Sequence, residues 1–373
     1  MSRTATHEFE PDFVSLPGET LQEVLDERGI SQANLAERTG RPKKTINEIV
    51  QGKAAITPET ALQLERVLGV PAAFWNSLER NYRENLARIE ERERLLSHVD
   101  WLGRVPYRAM VNKGWIRRCS DKVDQLREVL NFFGVASPNR WDEVIGLPVA
   151  AFRISTAFEI DKGALTAWLR KGEIDAQSIP CRPFDKGEFH QALLEARPLT
   201  ERPLPEVFPE LQKHCANAGV AVVVVPELPK TRANGATQWL SKDKALIQLS
   251  LRYRREDVLW FTFFHEAGHI LLHGKRQVFV DSGKFTGEVE EEQANRFAAD
   301  LLIPPKPLKR FFTETAFSET EVARFARDVG IDPGIVVGRL QNDKRIKHSH
   351  LNGLRRAIDP GAFAEAVQLQ SYP

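Results

Sequence analysis

Cysteine is scarce in this chain. Cys119, Cys181 and Cys215 are three residues in 373, odd in number and widely spaced, which excludes a disulfide framework. No CxxC pair occurs, so a cysteine-ligated zinc is excluded too, and the thiols read as ordinary groups of a reducing compartment. An excess of either charge is also missing: 52 basic and 51 acidic residues leave a net charge of +1. The field of the whole molecule therefore selects no partner, and any contact with nucleic acid must come from a local patch. No stretch approaches the ~18 consecutive apolar residues of a spanning helix. The opening MSRTATHEFEPDF has no apolar signal-peptide core. A cytoplasmic protein with no membrane partner is the expectation. Repeats at solenoid periods are absent as well.

The length predicts two or three domains. Residues 1–16 read as an N-terminal arm and 17–78 as a set of short helices. Residues 79–98 (ERNYRENLARIEERERLLSH) read as a charged connecting helix. A helical, aromatic-rich middle domain is expected over 99–210, with the four-proline run RPLTERPLPEVFP (197–209) as a linker. The β-branched run GVAVVVVPEL (219–228) predicts a buried strand, and ALIQLSL (245–251) a second. Helices are expected over 256–273 and 288–302, the latter stopped by Pro304–Pro305, placing a third domain at 211–305. A basic helical extension, 306–373, is expected to open on the Ser318/Glu321 capping box, and its Gly330 sits in a turn between two helices.

Within 17–78 the caps and turns fall in a definite order. Gly29 ends a first helix and Ser31 caps a second, SQANLAERTG, with Leu35 and Ala36 inward and Gly40 in the turn. A third helix starts with Pro42 at N1 and buries Ile46 and Ile49. Thr57 and Pro58 open a fourth, carrying Leu62, Leu64 and Leu68. In a helix-turn-helix the N-terminal side chains of such a third helix reach base edges in the major groove. Lys43, Lys44, Thr45 and Asn47 are the outward-facing candidates, with Gln32 placed to touch a phosphate. Residues 1–80 hold nine basic and twelve acidic residues, so the acidic background favours the bland reading of a small helical bundle. Against it stands a local stripe, Arg41, Lys43, Lys44 and Lys53 with the single acid Glu48. The whole segment from Gly18 to Trp75 resembles the XRE/HigA-type repressor and antitoxin domain, of lambda-repressor-like all-α fold. That resemblance implies a homodimer bound to a double-stranded DNA operator.

FTFFHEAGHILLHG (261–274) places His265 and His269 four residues apart, on one face of a helix, where both imidazoles reach one zinc. Glu266, one position along, is placed as the general base for zinc-bound water. Phe261, Phe264, Ile270, Leu271 and Leu272 predict a buried helix around this polar pair. A metzincin would need histidine at 275, where Lys275 stands, and that class is excluded. The next helix supplies a carboxylate instead: Ala294, Phe297, Ala298 and Leu301 define its inward stripe, and Glu291 lies on it. Glu292 and then Glu288 are the alternatives. Asn295, one turn after Glu291, is a candidate to orient a histidine. His273 reads as a helix C-cap, and His348 and His350 as surface residues.

The segments ALIQLS, FTFFHEAGH and EEQANRFAADLLIP together resemble the ImmA/IrrE family of metallopeptidase-like regulators. The resemblance implies an α+β zincin-like (gluzincin) domain that holds Zn2+ through His265, His269 and Glu291 and uses Glu266 as base. Its expected substrate is a partner protein such as a repressor or toxin. The expected fold is multidomain, mostly α with a small β-sheet. The expected function is a DNA-binding regulator fused to a zinc endopeptidase. The alternative is a non-catalytic HigA-type antitoxin or repressor whose zinc domain only senses or binds a partner.

Overall fold

The computed structural model describes residues 15–146, 161–274, 279–281, 289–313 and 317–370. It divides into two compact units at Asp100/Trp101. It is mostly helical with one small sheet, as expected from the sequence. The expected arm lies almost wholly outside the described residues, as does Glu288.

In the first unit, helices α1 (Pro17–Glu27), α2 (Gln32–Thr39), α3 (Lys43–Val50), α4 (Pro58–Leu68) and α5 (Ala72–Leu96) surround one core. Leu21, Leu25, Leu35, Ile46, Ile49, Leu64, Leu68 and Trp75 fill it. The caps act as their residue types dictate: Ser31 accepts from Asn34 N and Thr57 from Thr60 N, satisfying N–H groups that have no partner inside the helix. Gly40 closes α2 with φ +68, a left-handed conformation costly for other residues. Three expectations need correction. Pro42 is the N-cap rather than N1, because its ψ of 138° is still extended and the helix begins at Lys43. Leu62 is 49% exposed, since Ala61, Leu64 and Leu68 form the inward i, i+3, i+7 stripe and Leu62 falls beside it. Residues 79–96 continue α5, and Glu79 is buried, accepting from Ile56 N at 3.1 Å.

The second unit opens with α6 (Tyr107–Asn112), α7 (Lys122–Phe133), α8 (Pro138–Trp141), α9 (Lys162–Gln177) and α10 (Lys186–Ala196). The proline-rich run expected as a linker is instead a 3-10 turn, Arg197–Glu201, followed by α11 (Leu204–Asn217). Pro205 sits in the first turn of α11, where a backbone N–H would have no helical partner to lose. The sheet follows, with β1 (Val220–Val224), β2 (Gly235–Ser241), β3 (Lys244–Leu249) and β4 (Phe279–Asp281) in the order β1-β3-β2-β4. β1 is parallel to β3, while β2 runs antiparallel to both β3 and β4.

Both faces of the β1–β3 pair are covered, which is why these strands read as unbroken apolar runs. Val220, Val222, Ala245, Ile247 and Leu249 face one core, and Ala221, Val223 and Leu246 face another with Trp168 of α9. The larger core is built on α12 (Glu256–Leu272) and α13 (Val289–Leu302). α14 (Pro305–Phe311), α15 (Glu319–Val329), α16 (Pro333–Asn342) and α17 (Pro360–Gln370) complete it. Leu308, Val322, Phe325, Val336, Leu340 and Phe363 lie in the same cluster as Phe263 and Phe264. The described residues of the basic helical extension over 306–373 therefore pack into the core around the HExxH helix. Ser318 and Glu321 form the expected capping box at the start of α15.

Buried ion pairs fix the start of α12. Arg356 reaches Glu256 at 3.3 Å and Asp332, the N-cap of α16, at 2.7 Å. Arg355 holds Asp257 at 2.7 Å.

Candidate metal centre and helix-turn-helix surface

α12 carries the HExxH residues on a face turned into the protein. His265 and His269 are each 2% exposed and Glu266 is fully buried. The helix can sink this far because Trp260, Phe263, Phe264 and Ala267 give it apolar contacts around the polar residues. The expected apolar flanks are incomplete: Phe261 is 37% and Leu272 48% exposed. α13 packs across it, with Ala294 against Gly268, where an added Cβ would meet Ala294 Cα at 3.2 Å. This close approach brings Glu291 to the two histidines.

Three ligand atoms converge there. His265 Nε2 lies 3.0 Å from His269 Nε2, and Glu291 oxygens lie 3.3 Å from the former and 3.4 Å from the latter. A tetrahedral zinc with arms of about 2.1 Å has ligand–ligand edges of about 3.4 Å, so the donor set fits this ion in spacing as well as in type. Among the described residues this trio is the group with metal-ligand character. Glu292 is exposed on the turn of α13 and outside the trio. Asn295 sits with Oδ1 3.0 Å from His265 Nδ1, an acceptor that keeps the proton on Nδ1 and leaves Nε2 its lone pair.

The ionisation states suit a cation. Burial lowers His269 below its ordinary value of 6.5, although Glu291 pulls the other way. Burial pushes the Glu291 carboxyl up, but hydrogen bonds and charge from His265 and His269 outweigh it and hold it at about 2. The site therefore offers two imidazoles and a carboxylate held ionised between them.

Sequence reasoning missed Thr237. It lies on β2, and its hydroxyl donates to Glu266 Oε2 at 2.6 Å, fixing the orientation of that carboxylate. Two residues earlier on the same face, Gly235 leaves room for that carboxylate: a Cβ there would lie 2.7 Å from Glu266 Oε1. His273, read as a C-cap, does occupy that position, and its ring Nδ1 lies 2.9 Å from His269 Nδ1. His348 and His350 are exposed, as expected.

On the helix-turn-helix unit, Lys43, Lys44 and Asn47 are exposed along α3, while Thr45 is half-buried. Lys44 also pairs with Glu48 at 3.7 Å. Gln32 is held from both sides: its Nε2 donates to Gln22 Oε1 at 2.7 Å, and its Oε1 accepts from Asn47 Nδ2 at 3.3 Å. Gln22, which orients this pair from α1, carried no signal in the sequence.

The fold and the two sites define a helix-turn-helix protein that also carries a domain with a candidate metal centre on an HExxH helix. Residues 21–75 match the helix-turn-helix family and residues 226–341 match the IrrE N-terminal-like domain of the M78 peptidases. The chain thus belongs to the XRE-type helix-turn-helix regulators and carries an IrrE/ImmA-like domain behind that module. It is 36% identical over 63 residues to the uncharacterized HTH-type transcriptional regulator YddM of Escherichia coli (strain K12), covering 17% of this chain and 67% of that one. Two solved structures are similar over 22% of the chain. One is a putative antidote protein of a plasmid maintenance system from Nostoc punctiforme (31% identical, 89% of that chain, TM-score 0.21). The other is an addiction module antidote protein of a HigA family from Coxiella burnetii (27% identical, 91% of that chain, TM-score 0.21). No described helix is long and apolar enough to cross a membrane.

Proposed function

We propose that this protein is an operator-binding regulator whose second unit is a zinc-dependent endopeptidase acting on a partner regulatory protein, a repressor or toxin. The observation that carries the enzymatic half is the convergence of His265, His269 and Glu291, with the carboxylate of Glu266, next to His265 in the chain, oriented by Thr237. His265, His269 and Glu291 would hold the zinc, whose Lewis acidity acidifies water and polarises a peptide carbonyl. Glu266 takes the proton at its carboxylate and returns it to the leaving amine. Thr237 keeps one carboxylate oxygen oriented, and Asn295 keeps the His265 proton on Nδ1. Burial among Phe263, Phe264 and Trp260 keeps bulk water from dissipating these charges. The direct test is to incubate the zinc-loaded full chain with a proteome-derived peptide library and read new termini by mass spectrometry.

The DNA-binding half acts through the exposed N-terminal residues of α3. Lys43 and Lys44 supply charge to phosphates or guanine, and Asn47, braced by Gln32, is suited to adenine. A homodimer on a two-fold operator would double this small basic stripe. On a duplex selected from a random pool, Asn47→Ala is expected to cost about 1–3 kcal/mol and relax preference at one base position. Lys43→Ala with Lys44→Ala should weaken all sequences alike and reduce the salt slope by about one per lost phosphate contact. Fluorescence anisotropy across a salt series checks both, and unchanged binding by both variants would move the interface off α3.

A further inference from the structure

Resting on the zinc reading above, we infer that His273 and Gln293 form a positioning relay that sets the tautomer of His269 and thereby the affinity of the site for zinc. His265 and His269 share one face of α12, and His273, its C-cap, follows at the same four-residue interval. The first two carry the converging Nε2 atoms, but His273 approaches His269 from the opposite side. Its Nδ1 lies 2.9 Å from His269 Nδ1, and its Nε2 lies 3.1 Å from Gln293 Oε1 on α13. His273 thus faces the ring nitrogen of His269 turned away from the converging ligand atoms, and acts on the site through the His269 ring.

With His273 neutral, these two contacts fix the arrangement of protons. Gln293 Oε1 is a carbonyl oxygen and accepts, so His273 carries its proton on Nε2 and donates there. The Nδ1 of a neutral His273 then has a lone pair and accepts from His269 Nδ1–H. With its proton on Nδ1, His269 is left with a lone pair on Nε2, the atom that lies 3.0 Å from His265 Nε2 and 3.4 Å from Glu291. Asn295 does the same for His265 in a single step. The two histidines thus reach the same tautomer by different means, one through an amide and one through a second imidazole that an amide orients. Outer partners of this kind typically govern metal affinity by roughly 10- to 100-fold.

Gln293 is exposed, so its replacement leaves the core intact and the direction of the relay can be reversed without unfolding the chain. The experiment is zinc affinity of the full-length protein by competition with a chromophoric chelator at fixed pH, for wild type, Gln293→Glu, Gln293→Lys and His273→Phe. Gln293→Glu retains an acceptor and should bind zinc at least as tightly as wild type. Gln293→Lys offers a donor in its place and should weaken binding by roughly 10-fold or more, as should His273→Phe. Imidazole proton–nitrogen correlation spectra of the zinc-loaded wild type should place the His273 proton on Nε2. Wild-type zinc binding with equal affinity in all three variants would overturn the relay alone. A wild type that binds no zinc would overturn the zinc reading and the relay with it.

Discussion

Glu266→Gln is expected to keep the fold and the zinc but lose hydrolysis, by about 10²–10⁴-fold, the usual contribution of a positioned general base. The substitution conserves shape, and the new amide carbonyl still accepts from the Thr237 hydroxyl that now lies 2.6 Å from Glu266 Oε2. What it removes is the ability to take a proton. Parallel digestion of the peptide library by both proteins, each with its zinc content measured, separates chemistry from metal loss. The same variant separates the two classes of function. If Glu266→Gln retains every cellular effect while the α3 variants lose theirs, the second unit binds or senses without turnover. If it retains cleavage, Glu266 is not the base.

The second large effect lies away from the metal centre, at the pairs that seat α12. Arg356 faces two carboxylates, Glu256 and Asp332, whose side chains are 5% and 4% exposed. Arg356→Ala should destabilise the second unit by about 3 kcal/mol, the low end for breaking a buried pair because the guanidinium itself is 31% exposed. The pH dependence has a definite sign. Burial pushes both carboxyl groups above their ordinary values of 4.5 and 3.8, against the pull of Arg356. A raised carboxyl binds its proton more tightly in the folded chain, so its contribution favours folding at low pH and is lost as pH rises through the raised value. Removing Arg356 raises both further. The deficit should be full at neutral pH and shrink as acid protonates the two groups. Urea unfolding of both proteins across pH checks this, and a deficit independent of pH would mean that packing, not charge, holds the segment.

Where local chemistry decides structure, the chain was legible. Ser31, Thr57 and Ser318 cap helices because their hydroxyls satisfy amides that the helix leaves without partners. The four-residue spacing of His265 and His269 and the stripe through Ala294 and Ala298 already point these two histidines and Glu291 at one another from two helices. Distant partners decided the rest. β2 was missed because its sequence, GATQWLS, is shaped by the site it lines: Gly235 and Thr237 make room for and hold Glu266, and neither gives an apolar alternation. The proline run over 197–209 hid α11, whose prolines fall at its cap, first turn and interior rather than in a linker. What the tail packs against was not legible, because its apolar positions are ordinary amphipathic stripes. Their partners, Phe263 and Phe264, stand about fifty to a hundred residues earlier in the chain.

Metal content by elemental mass spectrometry, on the purified full chain and on His265→Ala and Glu291→Ala, tests the central claim most directly. The account predicts about one zinc per folded chain of the wild type, the number a single three-ligand site binds, and little in either variant. Zinc absent from a well-folded wild type after reconstitution, or retained at full level by Glu291→Ala, would contradict it.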